Sequence, residues 1–181
     1  MIRRKVKEEY VIMRMEVQDY STEWIRMFEA EAEKIRGIFG REIIDIHHIG
    51  STSVPGLKAK PIIDMMPVVK EIEAVDAFNR QMEELGYRGL GEYGIPGRRY
   101  FRKGNPKRTH HVHVFGMNNS TDINRHLAVR NYLRANKAAA ESYGNLKADL
   151  ADRFPEDMAA YIAGKNAFVK ALEKVGRKQM E

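Results

Sequence analysis

The stretch that most constrains this chain is residues 47–69, HHIGSTSVPGLKAKPIIDMMPVV, where a strand, a tight turn, a loop and a second strand follow one another. Residues 43–49 are β-branched and apolar enough to form the first strand, and Gly50 with Ser51 ends it sharply. Glycine there permits close approach to the backbone, and the hydroxyls of Ser51, Thr52 and Ser53 with nearby N–H groups can receive phosphate oxygens. The loop runs through Pro55 and Gly56 to Lys58 and Lys60, and the second strand opens at Pro61, a first position where proline is tolerated. Inside that apolar strand stands one carboxylate, Asp64, which needs a metal, a base or solvent. A polyanionic ligand suits this layout.

Periodicity organises the remainder. Residues 10–18 alternate loosely and predict an edge strand. From Ser21 or Thr22, either a fit N-cap, the positions Ile25, Phe28, Ala32, Ile35 and Phe39 keep helical spacing, with Gly37 or Gly40 near the stop. Trp24, in the first turn, reads as a packing anchor. Val75, Phe78, Met82 and Leu85 predict a second helix ending at Gly86. Short strands follow at 87–93, 98–102 and 109–115, separated by glycine-bearing turns. The last third is helical, at 121–135, 138–153 and 155–175, with Pro155 opening the final helix. Strands and helices thus come in separate runs, which predicts an α+β architecture, a mixed sheet with helices packed on it. One domain over residues 1–181 is expected, with residues 1–10 as a flexible basic tail.

Several groups have chemistry to offer. In THHVHVFG, His111 and His113 lie two apart and share a strand face, while His110 takes the other. Such a pair beside an Asp suits a divalent ion such as manganese, iron, nickel or zinc; the same histidines could instead bond Asp64 or phosphate directly, or simply pack. His47 and His48 point to opposite faces and read first as structural histidines, although His48 could reach the ligand because it lies close to Gly50; Asp45 shares the face of His47 and could serve as a partner or an extra carboxylate. Basic groups at Lys58, Lys60, Arg99, Arg102 and Lys103 come at intervals suited to a phosphate pocket, although Arg98 and Arg102 alternate with Tyr100 and so decorate one face. Arg130 and Arg134 share a helix face and could clamp phosphate or stack on a base, with Tyr132 nearby.

Gly-Ser after a strand, then about a dozen residues, then a strand Asp between bulky aliphatics, resembles the nucleotidyltransferase superfold of DNA polymerase β type. More narrowly, GSTSVPGLKAKPIID, together with YFRK at 100–103, HHVHVFG at 110–116 and HLAVRNYLRAN at 126–136, is similar to the GrpB family, also called UPF0157, from about Val17 onward. That resemblance implies a nucleotidyltransferase-like sheet whose Gly-Ser turn and Asp-bearing strand meet where a nucleotide and metal ions bind. It implies Asp64 as the metal-holding carboxylate; the strand pair His111 and His113, read above from its spacing, is expected to stand in for the missing ligands, which makes Asp64, His111 and His113 the expected catalytic and metal-holding residues, with Gly50, Ser51, Thr52, Ser53, Lys58, Lys60, Arg99, Arg102 and Arg130 as expected contacts to a nucleotide or phosphorylated metabolite. The divalent ion expected is magnesium, manganese or zinc. The superfold usually carries a second carboxylate one residue beyond the first on the same strand face. Met66 stands there, and a thioether is a poor ligand for hard cations. Two readings therefore stand: metal-dependent nucleotidyl transfer, or a module that keeps the pocket without turnover, in keeping with relatives fused to dephospho-CoA kinase and with a coenzyme A precursor as ligand. HVHVF also resembles the strand of histidine-triad hydrolases, but Thr109 and Phe115 occupy the positions where a third histidine would fall.

Composition narrows the partners. The chain has no cysteine, which removes disulfides, thiolate catalysis and Cys-based zinc sites. No apolar run approaches the roughly 20 residues that span a bilayer, and MIRRKVKEEY has no signal-peptide core, so a cytoplasmic setting without membrane contact is expected. The formal charge of +6 favours anionic partners. Part of that excess sits at the chain ends, which lowers RNA below small phosphorylated ligands as an expected partner.

Overall fold

The computed structural model describes residues 15–180. Five strands form one mixed sheet in the order β1-β2-β5-β4-β3: β1 (Ile43–Ile49), β2 (Ile63–Val69), β3 (Tyr87–Gly89), β4 (Arg98–Lys103) and β5 (His110–Gly116). β1 pairs antiparallel with β2, β2 parallel with β5, and β5 and β3 antiparallel with β4. The α+β expectation holds. β2 is therefore an interior strand, and its near-unbroken apolar run is what burial on both faces requires.

One face carries the main core. Helix α1 (Glu23–Phe39) lays Trp24, Ala32, Ile35 and Phe39 against Ile46, Ile63, Met65, Val69, Val112 and Val114. Trp24 is the packing anchor its place in the helix suggests, at 2% exposure. The second expected helix is split: residues Ile72–Phe78 coil as 3₁₀ and only Asn79–Glu84 form α2. On the opposite face α3 (Ser120–Ala135) sets Ile123 and Leu127 over Ile49, Met66 and Phe115. Helices α4 (Lys137–Arg153) and α5 (Met158–Lys178) complete that side, where Leu133, Ala140, Tyr143 and Leu172 enclose Val54 and Leu57 of the β1–β2 loop.

Several boundaries differ from the sequence reading. Of the edge strand expected at residues 10–18, the described part is not a strand and makes a single bridge, Gln18 with Ala59; residues 10–14 and the expected tail at 1–10 lie outside the described residues. The strand from Tyr87 stops at Gly89, because residues 90–97 fold into a loop pinned by Leu90 N–H to Tyr100 O and Tyr100 N–H to Gly91 O. α5 starts at Met158, not Pro155, since the Asp157 side chain caps it by accepting the Ala160 N–H at 2.9 Å. Among the described residues no helix is long and apolar enough to cross a membrane.

Candidate functional site

Strand alternation builds the site. The parallel register places Asp64 opposite His111, and His111 and His113 point to the same face. Asp64 Oδ1 lies 3.3 Å from His111 Nδ1 and 3.4 Å from His113 Nε2, and one ligand atom from each residue falls within a 4.8 Å cluster. All three side chains stay partly open, at 29%, 20% and 14% exposure. Burial acts to raise the Asp64 pKa, but the hydrogen bonds from His111 and His113 hold the carboxyl well below the usual carboxylate range. Burial lowers the His113 pKa, so at neutral pH that ring acts on Asp64 as a neutral N–H donor. Behind it, Arg98 Nη1 sits 3.2 Å from His113 Nδ1, and the Tyr100 ring lies 4.9 Å from the imidazole.

The donor set fits a divalent cation of borderline softness, one carboxylate and one or two imidazoles. His111 is the freer of the two rings: its Nδ1 faces Asp64 and donates there, but its Nε2 is buried without a hydrogen-bond partner that would oppose a change of tautomer. Arg98 constrains His113 more tightly, since a guanidinium can only donate.

Gly50 brings the turn against this cluster. It adopts φ 69° and ψ −172°, a region essentially reserved for glycine, and a Cβ there would stand 2.7 Å from Asp64 Oδ2. The three hydroxyls after it part company. Ser51 and Thr52 line a cleft of about 210 Å³ with Lys60, Asp64, His111, Lys147, Tyr161 and Lys165. Thr52 Oγ1 is occupied by His48 Nε2 at 3.0 Å and the Ile62 carbonyl at 3.3 Å. Ser53 is buried and donates to the Gly50 carbonyl, so it braces the turn instead of facing a ligand.

Three lysines converge on the cleft. Burial, with mutual repulsion added, pushes Lys147 down to about 7 and Lys60 down to about 8, and burial lowers Lys165 as well. Lys60 lies 4.8 Å over the Tyr161 ring and Lys165 5.1 Å from it, while Lys147 lies 4.7 Å over Tyr143 and donates to the Lys58 carbonyl. Crowded ammonium groups around one carboxylate make a place for a polyanion. Sequence reasoning missed Lys147, Tyr161 and Lys165 because they follow Asp64 by some 80 to 100 positions. A signal did exist: YGNLK and YIAGK, at Tyr143 and Tyr161, repeat a Tyr-Lys pair at helical i,i+4 spacing.

Other expected contacts lie elsewhere. Arg99 points to the opposite sheet face and is tied bidentately to Asp76 at 2.6 and 3.0 Å, which removes it from the site. The Lys58 side chain lines a separate concavity of about 550 Å³ with Arg134 and Lys137. Arg130 and Arg134 donate to the His48 and Ser53 carbonyls at 3.2 and 2.9 Å, clamping the β1–β2 connection from α3. Arg102 shares the site face but stacks its guanidinium 5.2 Å from the Tyr93 ring. Lys103 is taken by Glu31. His48 is structural as expected, stacked on Phe28 at 4.7 Å. Met66, where the second carboxylate of the superfold would stand, is fully buried with Ile49 and Phe115.

Comparison with known proteins identifies the fold and the family. Several solved structures of the Cid1 poly(U) polymerase share the fold; one with Mg 3'-dATP bound gives a TM-score of 0.54 at 15% identity, over 82% of this chain and 49% of that one. A crystal structure of GrpB from Enterococcus faecalis superposes at a TM-score of 0.89 with 47% identity, covering 91% of this chain and 99% of that one. The UPF0157 protein YqkA of Bacillus subtilis is 48% identical over 91% of this chain, which spans 48% of that relative's length. The glutamate-rich protein GrpB of Alkalihalophilus pseudofirmus is 35% identical over 84% of this chain and 90% of its own. The family described as GrpB protein matches residues 14–175, and the chain belongs to it.

Proposed function

We propose that the cleft binds a nucleotide or another phosphorylated small molecule together with a divalent metal ion. The observation that carries this reading is that Asp64 and His111, two members of the Asp64–His111–His113 cluster, line the same cleft as Lys60, Lys147 and Lys165. Asp64 and His111 would hold the metal, whose charge would offset that of the phosphates. The lysines would take the outer phosphate oxygens and Ser51 an inner one. Three ammonium groups beside the cluster disfavour a lone cation, so metal and polyanion should bind cooperatively.

A specific observation favours binding over two-metal transfer. Met66 and its apolar neighbours fill the place where a second carboxylate would hold a second ion. The chain then serves as a ligand-binding module, and coenzyme A precursors join nucleoside triphosphates among the ligands to test.

The test is thermal unfolding with nucleoside triphosphates, coenzyme A precursors and tripolyphosphate, each with and without manganese, for the parent and Asp64→Asn. A ligand present at about 100 times its dissociation constant adds roughly 2.7 kcal/mol, a shift of several degrees. A manganese-dependent shift that disappears in Asp64→Asn supports the reading. Equal shifts in both proteins would sink the role given to Asp64.

A further inference from the structure

The loop at residues 90–97 presents an exposed aromatic in a strained conformation. Tyr93 has φ 45°, and no other described non-glycine residue has a positive φ. It is 56% exposed. Bulky side chains rarely adopt this conformation, and it persists only where the surroundings over-determine it. They do here. Arg98 Nη2 donates to the Tyr93 carbonyl at 2.7 Å and Arg98 Nε to the Glu92 carbonyl at 3.2 Å, while the Glu92 carboxylate accepts the Gly97 N–H at 2.7 Å.

The ring so held continues a line of rings from the site. Tyr93 stacks on Tyr100 at 5.2 Å and 17°, and Tyr100 in turn touches His113 at 4.9 Å and His111 at 5.8 Å. The Arg102 guanidinium lies 5.2 Å from the Tyr93 ring, and Arg102 lines a groove of about 320 Å³ with Arg88 and Arg108. An exposed aromatic flanked by an arginine is the pairing that receives a base by its π-face, and the line of rings behind it ends at His111, which lines the lysine cleft assigned to the phosphates.

We infer that Tyr93 is a stacking platform for a nucleobase, so that the ligand of the cleft is recognised as a nucleotide and not merely as a phosphate ester. This rests on the phosphate-binding reading above. Nucleobase and phosphate come together in a free nucleotide and in the end of a single strand, and both would use the same ring.

Two probes separate these sources: 2-aminopurine riboside triphosphate, and a short single-stranded oligonucleotide carrying one 2-aminopurine, each with manganese. Tripolyphosphate with manganese, followed by calorimetry, reports the phosphate site alone. The expected result is quenched probe fluorescence and, in Tyr93→Ala, a dissociation constant raised roughly tenfold or more with tripolyphosphate affinity unchanged. Tyr93→Phe should bind like the parent. Tyr93→Gly, which relieves the positive φ while removing the ring, should melt no lower than the parent yet bind as poorly as Tyr93→Ala. The tighter of the two probes identifies the source of the base. Tripolyphosphate binding as tightly as the nucleotide, with Tyr93→Ala indifferent, overturns the platform and leaves the phosphate site standing. Failure of all three ligands to bind overturns both.

Discussion

Arg98 fixes the tautomer of His113. Its Nη1 lies 3.2 Å from His113 Nδ1, and since arginine only donates, that nitrogen must accept and the ring proton must sit on Nε2, facing Asp64 Oδ1 at 3.4 Å. A nitrogen bearing a proton cannot ligate a metal. His113 therefore steers Asp64 in this state, and joins a metal only if its proton moves to Nδ1 against Arg98. Nitrogen-15 NMR of the imidazole at pH 7 should show the Nε2–H form. Arg98→Met should strengthen zinc affinity roughly tenfold, measured by chelator competition, because it removes both the tautomer constraint and a positive charge. It should also cost about 1–3 kcal/mol of stability by stranding the Tyr93 carbonyl, while the Glu92 carbonyl keeps the Ile95 N–H. Weaker zinc binding in a folded Arg98→Met would mean that His113 ligates with Arg98 in place.

Gly50 and Asp64 are sterically linked, and Gly50→Ala tests the link. The new methyl would fall 2.7 Å from Asp64 Oδ2, in a backbone region that L-residues avoid. Stability should drop by about 1–3 kcal/mol, and manganese-dependent ligand binding should weaken at least as much as in Ser51→Ala. A variant with parental affinity and a parental melting curve would show that the turn is not held against Asp64.

Much of this site is written locally in the sequence. Alternation in HHVHVFG sets His111 and His113 on one face, and the apolar run after Pro61 places Asp64 on an interior strand. Their meeting is not local: it depends on β2 and β5 being parallel neighbours although some 40 residues separate them. The same limit hid the lysines, which helix packing delivers from α4 and α5. Arg99 shows the converse. It looks like a phosphate ligand by spacing, yet the strand period turns it to the far face, where Asp76 waits.

His48 predicts an acid-side loss of stability. Burial, aided by Arg134 and Arg130, pushes its pKa down to about 4, while in the unfolded chain it titrates near 6.5. Between those values the unfolded chain binds a proton that the folded one refuses. The contribution of His48 is therefore intact above about pH 6.5 and declines as pH falls toward 4, by up to about 3 kcal/mol. Burial lowers His47 and His110 too, so they add to the slope. Urea unfolding at pH 7.5 and pH 5 should show the loss, and His48→Gln should flatten it by about one proton. An unchanged slope would place the linkage on other groups.

Met66 predicts what a restored carboxylate would do. The side chain is fully buried among Ile49, Phe115, Ile123 and Leu127. Met66→Asp would bury an unpaired charge and should cost about 3 kcal/mol or more, whereas Met66→Leu should cost less than about 1.5 kcal/mol. Melting curves with and without manganese settle the point. If manganese restored Met66→Asp to parental stability, the pocket would be open to a second ion after all, and two-metal chemistry would return as a reading.

Lys147 couples binding to stability. The side chain is 3% exposed and burial brings its pKa down to about 7, against an unfolded value near 10.4. From pH 7 to 10 the unfolded chain holds the proton more firmly, so stability rises with pH across that window, and near neutrality the fold carries a penalty on the order of 4 kcal/mol. Lys147→Met removes the penalty but leaves the Lys58 carbonyl without its donor, a cost of about 1–3 kcal/mol. The net expectation is a higher melting temperature at pH 7, a smaller gain at pH 10, and at least a tenfold loss of triphosphate affinity. Such a trade is usual where a group is kept for binding and not for folding. In the parent, calorimetry in buffers of different ionisation enthalpy should register proton uptake on binding, as the phosphates draw Lys147 back to its charged form. A lower melting temperature for Lys147→Met at both pH values would show that the buried ammonium holds the loop to α4, and its place in the ligand site would fall with that result.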